Sequence, residues 1–163
     1  MNVTLKRANI ADANEIYEMQ IISFKSLLEK YQDFDISPGA EPIEKIIERL
    51  NQSFTHYYII KNINESVGAI RIVLKEDGKR CRISPIFILP QYQNNGIAQI
   101  VFKAIEEIYK PINGWELDTI LEEKGNCYLY EKMGYKKTGK IETINEKMTL
   151  VFYEKRGLTT AST

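Results

Sequence analysis

Apolar and polar positions change rhythm several times along the chain, and each change marks an element. "VTLKRA" alternates and predicts a first strand. From there the period lengthens. Ile16, Met19, Phe24, Leu27, Leu28 and Tyr31 recur at helical spacing and predict one long helix with a single apolar face. Asn9 followed by Asp12 predicts its N-terminus as a variant of the capping box. "QDFDISPGAEP" breaks the helix with Pro38, Gly39 and Pro42. "PIEKIIERLNQ" predicts a second, short helix with Pro42 near its first turn. "HYYIIKN" and "VGAIRIVLK" read as strands around the turn "INES", and Asp77-Gly78 in "EDGKR" is a strong hairpin signal. "CRISPIFIL" is a further strand, in which Pro85 predicts a bulge or a missing ladder bond.

The second half repeats the alternation of periods. Ile97, Ile100, Val101, Ala104, Ile105 and Ile108 form a buried helical stripe, ended by Pro111 and Gly114. "WELDTIL" predicts a strand, and "NCYLYEKMG" a short helix closed by Gly134. "YKKTGKIETI" and "KMTLVFYEK" predict the last two strands, and "GLTTAST" a frayed polar tail. The order β-α-α-β-β-β-α-β-α-β-β predicts an α/β (α+β) fold with a mixed sheet and helices on both faces. No linker divides the chain. We expect one domain over residues 1–156 and a tail over 157–163.

Charge and cysteine usage narrow the function classes. Lys plus Arg number 22, as do Asp plus Glu. A net charge of zero argues against a nucleic-acid binder driven by bulk charge. Cys81 and Cys127 form no CxxC pair, and with His56 as the single histidine the sequence argues against a Cys/His zinc site, so no metal is expected. One histidine also argues against a hydrolase triad. No apolar run reaches the roughly 18 residues of a membrane span, so no membrane partner is expected. "MNVTLKRANIADANE" lacks the apolar core of a signal peptide. These features lead us to expect a cytoplasmic protein with reduced thiols.

The chemically suggestive stretch is "QNNGIAQIVFKAIEEI", residues 93–108. It places amides and Gly96 between an apolar strand and an amphipathic helix. A helix N-terminus leaves about four N–H groups unpartnered and carries partial positive charge, so phosphate binds there readily. Gly96 has no Cβ, and Ala98 is small, so a ligand can approach the backbone. An ordinary capped loop fits the same composition. The Gly-Lys-Ser/Thr ending of a P-loop and the third glycine of a Rossmann turn are both absent.

"QNNGIA", Gln93 to Ala98, resembles the Q/R-x-x-G-x-G/A motif of the GNAT superfamily of acyl-CoA N-acyltransferases. "LYEKMGY", Leu129 to Tyr135, is similar to that family's "LYEKLGF" segment, and "LKRANIADANEIYEMQ" to its opening strand and helix. The resemblance covers residues 3–135 in the family's order. It implies the GNAT fold and acetyl-CoA as acyl donor. Ile86, Phe87 and Ile88 would pair with the pantetheine arm through their backbone. Backbone N–H groups from Asn94 to Gln99, which include those of Asn95, Gly96, Ile97 and Ala98, would hold the pyrophosphate, with Gln93 opening the turn.

Tyr130 matches the family's tyrosine that protonates the departing thiolate; a phenol of pKa about 10 holds its proton at neutral pH. Relatives carry a cofactor-contacting asparagine where this chain has Glu123. The nearest asparagine, Asn126, either bonds the cofactor or caps its helix. No general base is evident, although Glu116 and Asp118 share one face of a strand. The family's acceptor side lies under the first two helices, whose connection here carries Asp33, Asp35, Glu41 and Glu44 and no basic residue. Such carboxylates would gather cationic amines, such as a small polyamine or amino sugar.

The expected activity is therefore N-acetyl transfer to a primary amine of a small molecule or peptide, by direct attack in a ternary complex. A noncatalytic acyl-CoA sensor and a nucleic-acid or scaffold domain are the competing classes. A homodimeric assembly stays open.

Overall fold

The structure, a computed structural model, describes residues 1–157. Seven strands and four helices follow the expected order: β1 (Val3–Arg7), α1 (Ala13–Tyr31), α2 (Ile43–Leu50), β2 (Thr55–Asn62), β3 (Glu65–Lys75), β4 (Arg80–Ile88), α3 (Ile97–Ile108), β5 (Trp115–Ile120), α4 (Lys124–Lys132), β6 (Lys136–Thr143) and β7 (Thr149–Lys155). The capping box forms as read, with Asn9 accepting from Ala11 N and Asp12 reaching back to Asn9 N. It starts a short 3-10 turn that runs into α1.

The strands make one sheet in the order β1-β2-β3-β4-β5-β7-β6, antiparallel except where β5 lies beside β4. Both faces of its centre are covered. On one, Ile16 and Met19 of α1 and Ile46 of α2 pack on Tyr57, Ile59, Ala69 and Phe87. On the other, Ile97, Val101, Phe102 and Ile105 of α3 pack on Tyr58, Ile60, Ile70 and Ile72. The run "YYII" in β2 follows directly, since successive side chains point to opposite faces and both faces are dry. Each such fully buried Ile, Val or Phe contributes about 1.5–3 kcal/mol. The α3 stripe differs from expectation at two places: Ile100 and Ile108 are exposed, and Phe102 takes the core position. The helix turns its face toward Tyr135 and Tyr130, whose rings lie 5.9 and 5.8 Å from that of Phe102.

Two irregularities shape the centre of the sheet. From Ile70↔Ile86 to Ile72↔Ile83, β4 advances three residues while β3 advances two. The extra residue falls at Ser84-Pro85, where the bulge was expected. Arg71 Nε donates to the Ser84 carbonyl and holds the bulge in place. Beyond it, β4 and β5 part company. They pair only at Cys81↔Trp115 and Arg82↔Glu116, which leaves residues 83–88 of β4 without a ladder on that side. The strands thus form a fork whose open end faces the start of α3. Gly68 of β3 lies so close to β4 that a Cβ there would run into the Phe87 carbonyl. The frayed tail expected at 157–163 lies, apart from Gly157, outside the described residues.

Candidate active site

Two cavities meet at the fork. The first, about 620 Å³, runs between α1, the open end of β4, the start of α3 and α4. The second, about 380 Å³, lies on the other side of Ile86, under the α1–α2 connection and against β5, β6 and β7. Five residues line both: Phe24, Leu27, Ile86, Asn126 and Tyr130.

The turn before α3 explains the glycine of "QNNGIA". Asn94 and Gly96 are both in the left-handed region, with φ of 64° and 78°. Gly96 is the N-cap of α3, and no side chain caps the first turn. A Cβ placed on Gly96 would meet no atom within 4 Å, so this helix end opens onto free space. Positive φ and close ligand access both favour glycine at that position. Gln93, Asn94, Gly96, Ile97, Ala98 and Gln99 line the first cavity, as do Ile86, Phe87 and Ile88. Asn95 does not. Its Nδ2 turns back to the Tyr92 carbonyl at 3.4 Å. Gln93 is also partly committed, since its Nε2 donates to the Ile88 carbonyl at 2.9 Å and pins the turn to the end of β4.

The second motif builds a rigid mount for Tyr130. Gly134, at φ 95°, ends α4. Gly134 N donates to Glu131 O and Tyr135 N to Tyr130 O, the two bonds of a Schellman motif. The buried ring of Tyr135 then packs 6.3 Å from that of Tyr130. "YEKMGY" therefore fixes the tyrosine backbone and one side of its ring at once. Burial, with the nearby Asp118 carboxylate adding to it, pushes the Tyr130 phenol up to about 12. Its proton stays in place across the neutral range.

Asn126 lies in the first turn of α4, exposed, lining both cavities and making no capping bond with its side chain. Glu123, where the resemblance implies an asparagine, has a different job. Its Oε2 accepts from Lys30 Nζ at 2.8 Å and from the Tyr31 hydroxyl. Those two donors hold its pKa below the ordinary carboxylate value. Asn145 Nδ2 donates to the Tyr31 carbonyl at 2.9 Å. The C-terminal end of α1 is thus tied to both α4 and the β6–β7 turn, and it roofs the cavities.

The acidic connection looks different in three dimensions. Asp33 is buried and lines the second cavity, and so does Glu41, but Glu41 is paired with Arg49 at 2.7 Å. Asp35 and Glu44 are exposed and lie outside the cavity wall. Of the two β5 carboxylates, Asp118 lines the cavity. Glu116 does not, and it is surrounded by Lys75, Arg80 and Arg82. His56 lies away from the site, its Nδ1 2.5 Å from the Tyr109 hydroxyl. Both cysteines are free and buried. Among the described residues there is no cluster fit for a metal ion, and no helix is long and apolar enough to cross a membrane.

Sequence reasoning missed the contribution of α1 to the first cavity. Ser23 and Ser26 line it. They interrupt an otherwise apolar face, and that was the available signal. Arg49, Arg82 and Glu142 reach the second cavity from three separate elements, and no local pattern announces them.

The model of the acetyltransferase (GNAT) family matches residues 15–135, more than half of the chain. No curated protein matches it in sequence. Among solved structures, an acetyl transferase from Salmonella typhimurium that modifies the N-terminal serine of ribosomal protein L7/L12 superposes with a TM-score of 0.75. It shows 14% identity, with 98% of this chain and 96% of that one covered. A chimera of the Vibrio cholerae spermidine N-acetyltransferase SpeG and hSSAT gives 0.73 at 14% identity, covering 96% of each chain. The PaiA N-acetyltransferase of Thermoplasma acidophilum, in complex with coenzyme A, gives 0.71 at 14%, covering 94% of this chain and 99% of that one. At such identity these similarities establish the fold.

Proposed function

The chain belongs to the GNAT acetyltransferase family, and from that premise we propose that it moves an acetyl group from acetyl-CoA to a primary amine held in the second cavity. The observation that carries this reading is Tyr130, a protonated phenol at the junction of two cavities.

The residues of the first cavity fit the donor. The uncapped N-terminus of α3 offers backbone N–H groups and partial positive charge to a pyrophosphate, with Gly96 leaving the approach open. The unpaired side of β4 at Ile86, Phe87 and Ile88 offers backbone groups to the amides of a pantetheine arm, in the manner of an added strand. Acetyl-CoA supplies an activated thioester carbonyl. Tyr130 holds at Oη the proton that the leaving sulfur takes as the amine nitrogen bonds to the acyl carbon. The rest of the junction, Phe24, Leu27, Ile86 and Asn126, carries no charge. Such a wall favours the neutral, attacking form of an amine. Asp118, on the wall of the second cavity and paired there with Arg82, is the β5 carboxylate we assign to receive a proton through water.

Both cavities open on Tyr130, so donor and acceptor can be present together and direct attack suffices. Neither cysteine suits a covalent relay. Both are buried, and burial pushes the Cys81 thiol up to about 11. The test is twofold: calorimetry with acetyl-CoA, then release of free thiol on a panel of small amines and peptide N-termini. Binding with amine-dependent thiol release is expected. Tight binding without release on any amine would leave a sensor in place of an enzyme.

A further inference from the structure

The charges on the wall of the second cavity do not balance. Four carboxylates, Asp33, Glu41, Asp118 and Glu142, face two guanidiniums, Arg49 and Arg82. Arg49 is committed to Glu41 through two bonds, 2.7 and 3.2 Å. Arg82 is committed to Asp118 at 2.7 Å. Among the described residues, Asp33 and Glu142 are left without a cationic partner. They are not equivalent. Glu142 stands exposed on the edge strand β6. Asp33 is only 8% exposed, and its Oδ1 is enclosed with no hydrogen-bond partner. Burial raises its pKa, with its own backbone N–H offsetting part of the effect.

A buried carboxylate oxygen without a partner calls for an explanation. Here the loop around it is well tied down. Ile36 N and Ser37 N both donate to the Asp33 carbonyl, and Gln20 Nε2 donates to the Pro38 carbonyl at 2.8 Å. The main chain is satisfied while Asp33 Oδ1 is not. Asp33 lines the second cavity, and a cation entering there would supply the partner that Oδ1 lacks.

We propose that Asp33 receives a second ammonium group of the acceptor, so that the preferred acceptor is an aliphatic diamine or longer polyamine. This rests on the N-acetyltransferase reading above. The two nitrogens of such a molecule need opposite treatment. The reacting one must be neutral, and the uncharged junction around Tyr130 favours that. The distal one stays protonated because Asp33 stabilises its charge. A monoamine leaves Asp33 unpaired and forgoes that interaction. An acceptor bearing a carboxylate meets repulsion from Asp33 and Glu142.

Butanediamine and butylamine, identical in chain length, are the probes. Each is titrated calorimetrically into the whole protein and into Asp33→Asn, and each is then assayed for thiol release with acetyl-CoA. The diamine should bind about 10- to 100-fold more tightly than the monoamine, the range of one charged hydrogen-bonded contact. Asp33→Asn should erase that preference, raising KM for the diamine by a similar factor while kcat moves far less. The isosteric amide removes a buried charge, so its melting temperature should equal or exceed the parent's, which shows that the fold is intact. Glu142→Gln should lose less of the preference than Asp33→Asn. Equal affinities in the parent overturn the inference, as does an Asp33→Asn loss that is the same for both amines. Thiol release without any Asp33 dependence would leave the enzymatic reading standing and this inference fallen. Asp33-dependent diamine binding without thiol release would do the reverse.

Discussion

Replacing Tyr130 with phenylalanine separates the chemistry of this residue from its packing. The ring lies 5.8, 6.3 and 6.2 Å from the rings of Phe102, Tyr135 and Tyr153, and phenylalanine preserves all three contacts. The Schellman bonds that mount it are backbone bonds and survive too. Among the described residues the hydroxyl makes no hydrogen bond, so its removal strands no partner, and stability should change by no more than about 0.5 kcal/mol. The rate should respond very differently. A positioned general acid contributes about 10²–10⁴, or roughly 3–5.5 kcal/mol of barrier at about 1.4 per decade. With the phenol pushed up to about 12, the parent should show no alkaline loss attributable to Tyr130 below about pH 11. Thiol release at saturating amine measures kcat, calorimetry measures acetyl-CoA affinity, and a melt checks the fold. We expect kcat to collapse with affinity and melting nearly unchanged. A folded Tyr130→Phe protein turning over within about threefold of the parent would refute the assignment, because water or another group would then be protonating the sulfur.

Two further outcomes test the surroundings. Gly96→Ala adds a methyl group to open space beside the first turn of α3 at φ 78°. It should cost about 1 kcal/mol of stability for the left-handed backbone and weaken acetyl-CoA binding by about tenfold; unchanged affinity in calorimetry would show that the helix end is no phosphate seat. The Glu123 carboxylate is held below its ordinary value of 4.5 by Lys30 and Tyr31. Its stabilising effect is therefore present above that value and lost as pH falls through the lower folded pKa. Glu123→Gln should melt below the parent at neutral pH, with the gap closing in acid; a gap independent of pH would mean the tie is not ionic.

The turn before α3 and the mount of Tyr130 were legible as structure because they are local. A strand, a turn with Gly96 and the head of a helix are contiguous, and so are the residues that mount Tyr130. Pro85 likewise announced the bulge, because a missing N–H has consequences wherever it sits in a ladder. Helix orientation was less legible. Ile100 and Ile108 have the right spacing for burial, yet the aromatic cluster around Phe102 sets the rotation of α3. The acidic connection was misread in part, since the segment between α1 and α2 lacks basic residues but Glu41 is met in space by Arg49. Glu41 is paired by Arg49, eight positions on in the next helix, and Asp118 by Arg82, 36 positions away, and neither pairing can be read from the carboxylates themselves.

The fork between β4 and β5 also bears on how readily the sheet could recruit a strand from another chain. Its outer rims are poor templates for another chain: β1 has five residues, and β6 carries Lys136, Lys137 and Lys140. The inner rim is the opposite, an unladdered stretch with Ile83, Ile86, Phe87 and Ile88, the composition that recruits stray strands in aggregation. Its defence is taper. The gap narrows to pairing already made at Arg82 and Glu116, so an incoming polypeptide, which needs width for its side chains and length for its register, runs out of both. A slender thread with one or two amides needs neither. The same wedge that would admit a cofactor arm therefore shields an otherwise sticky strand from a stray one.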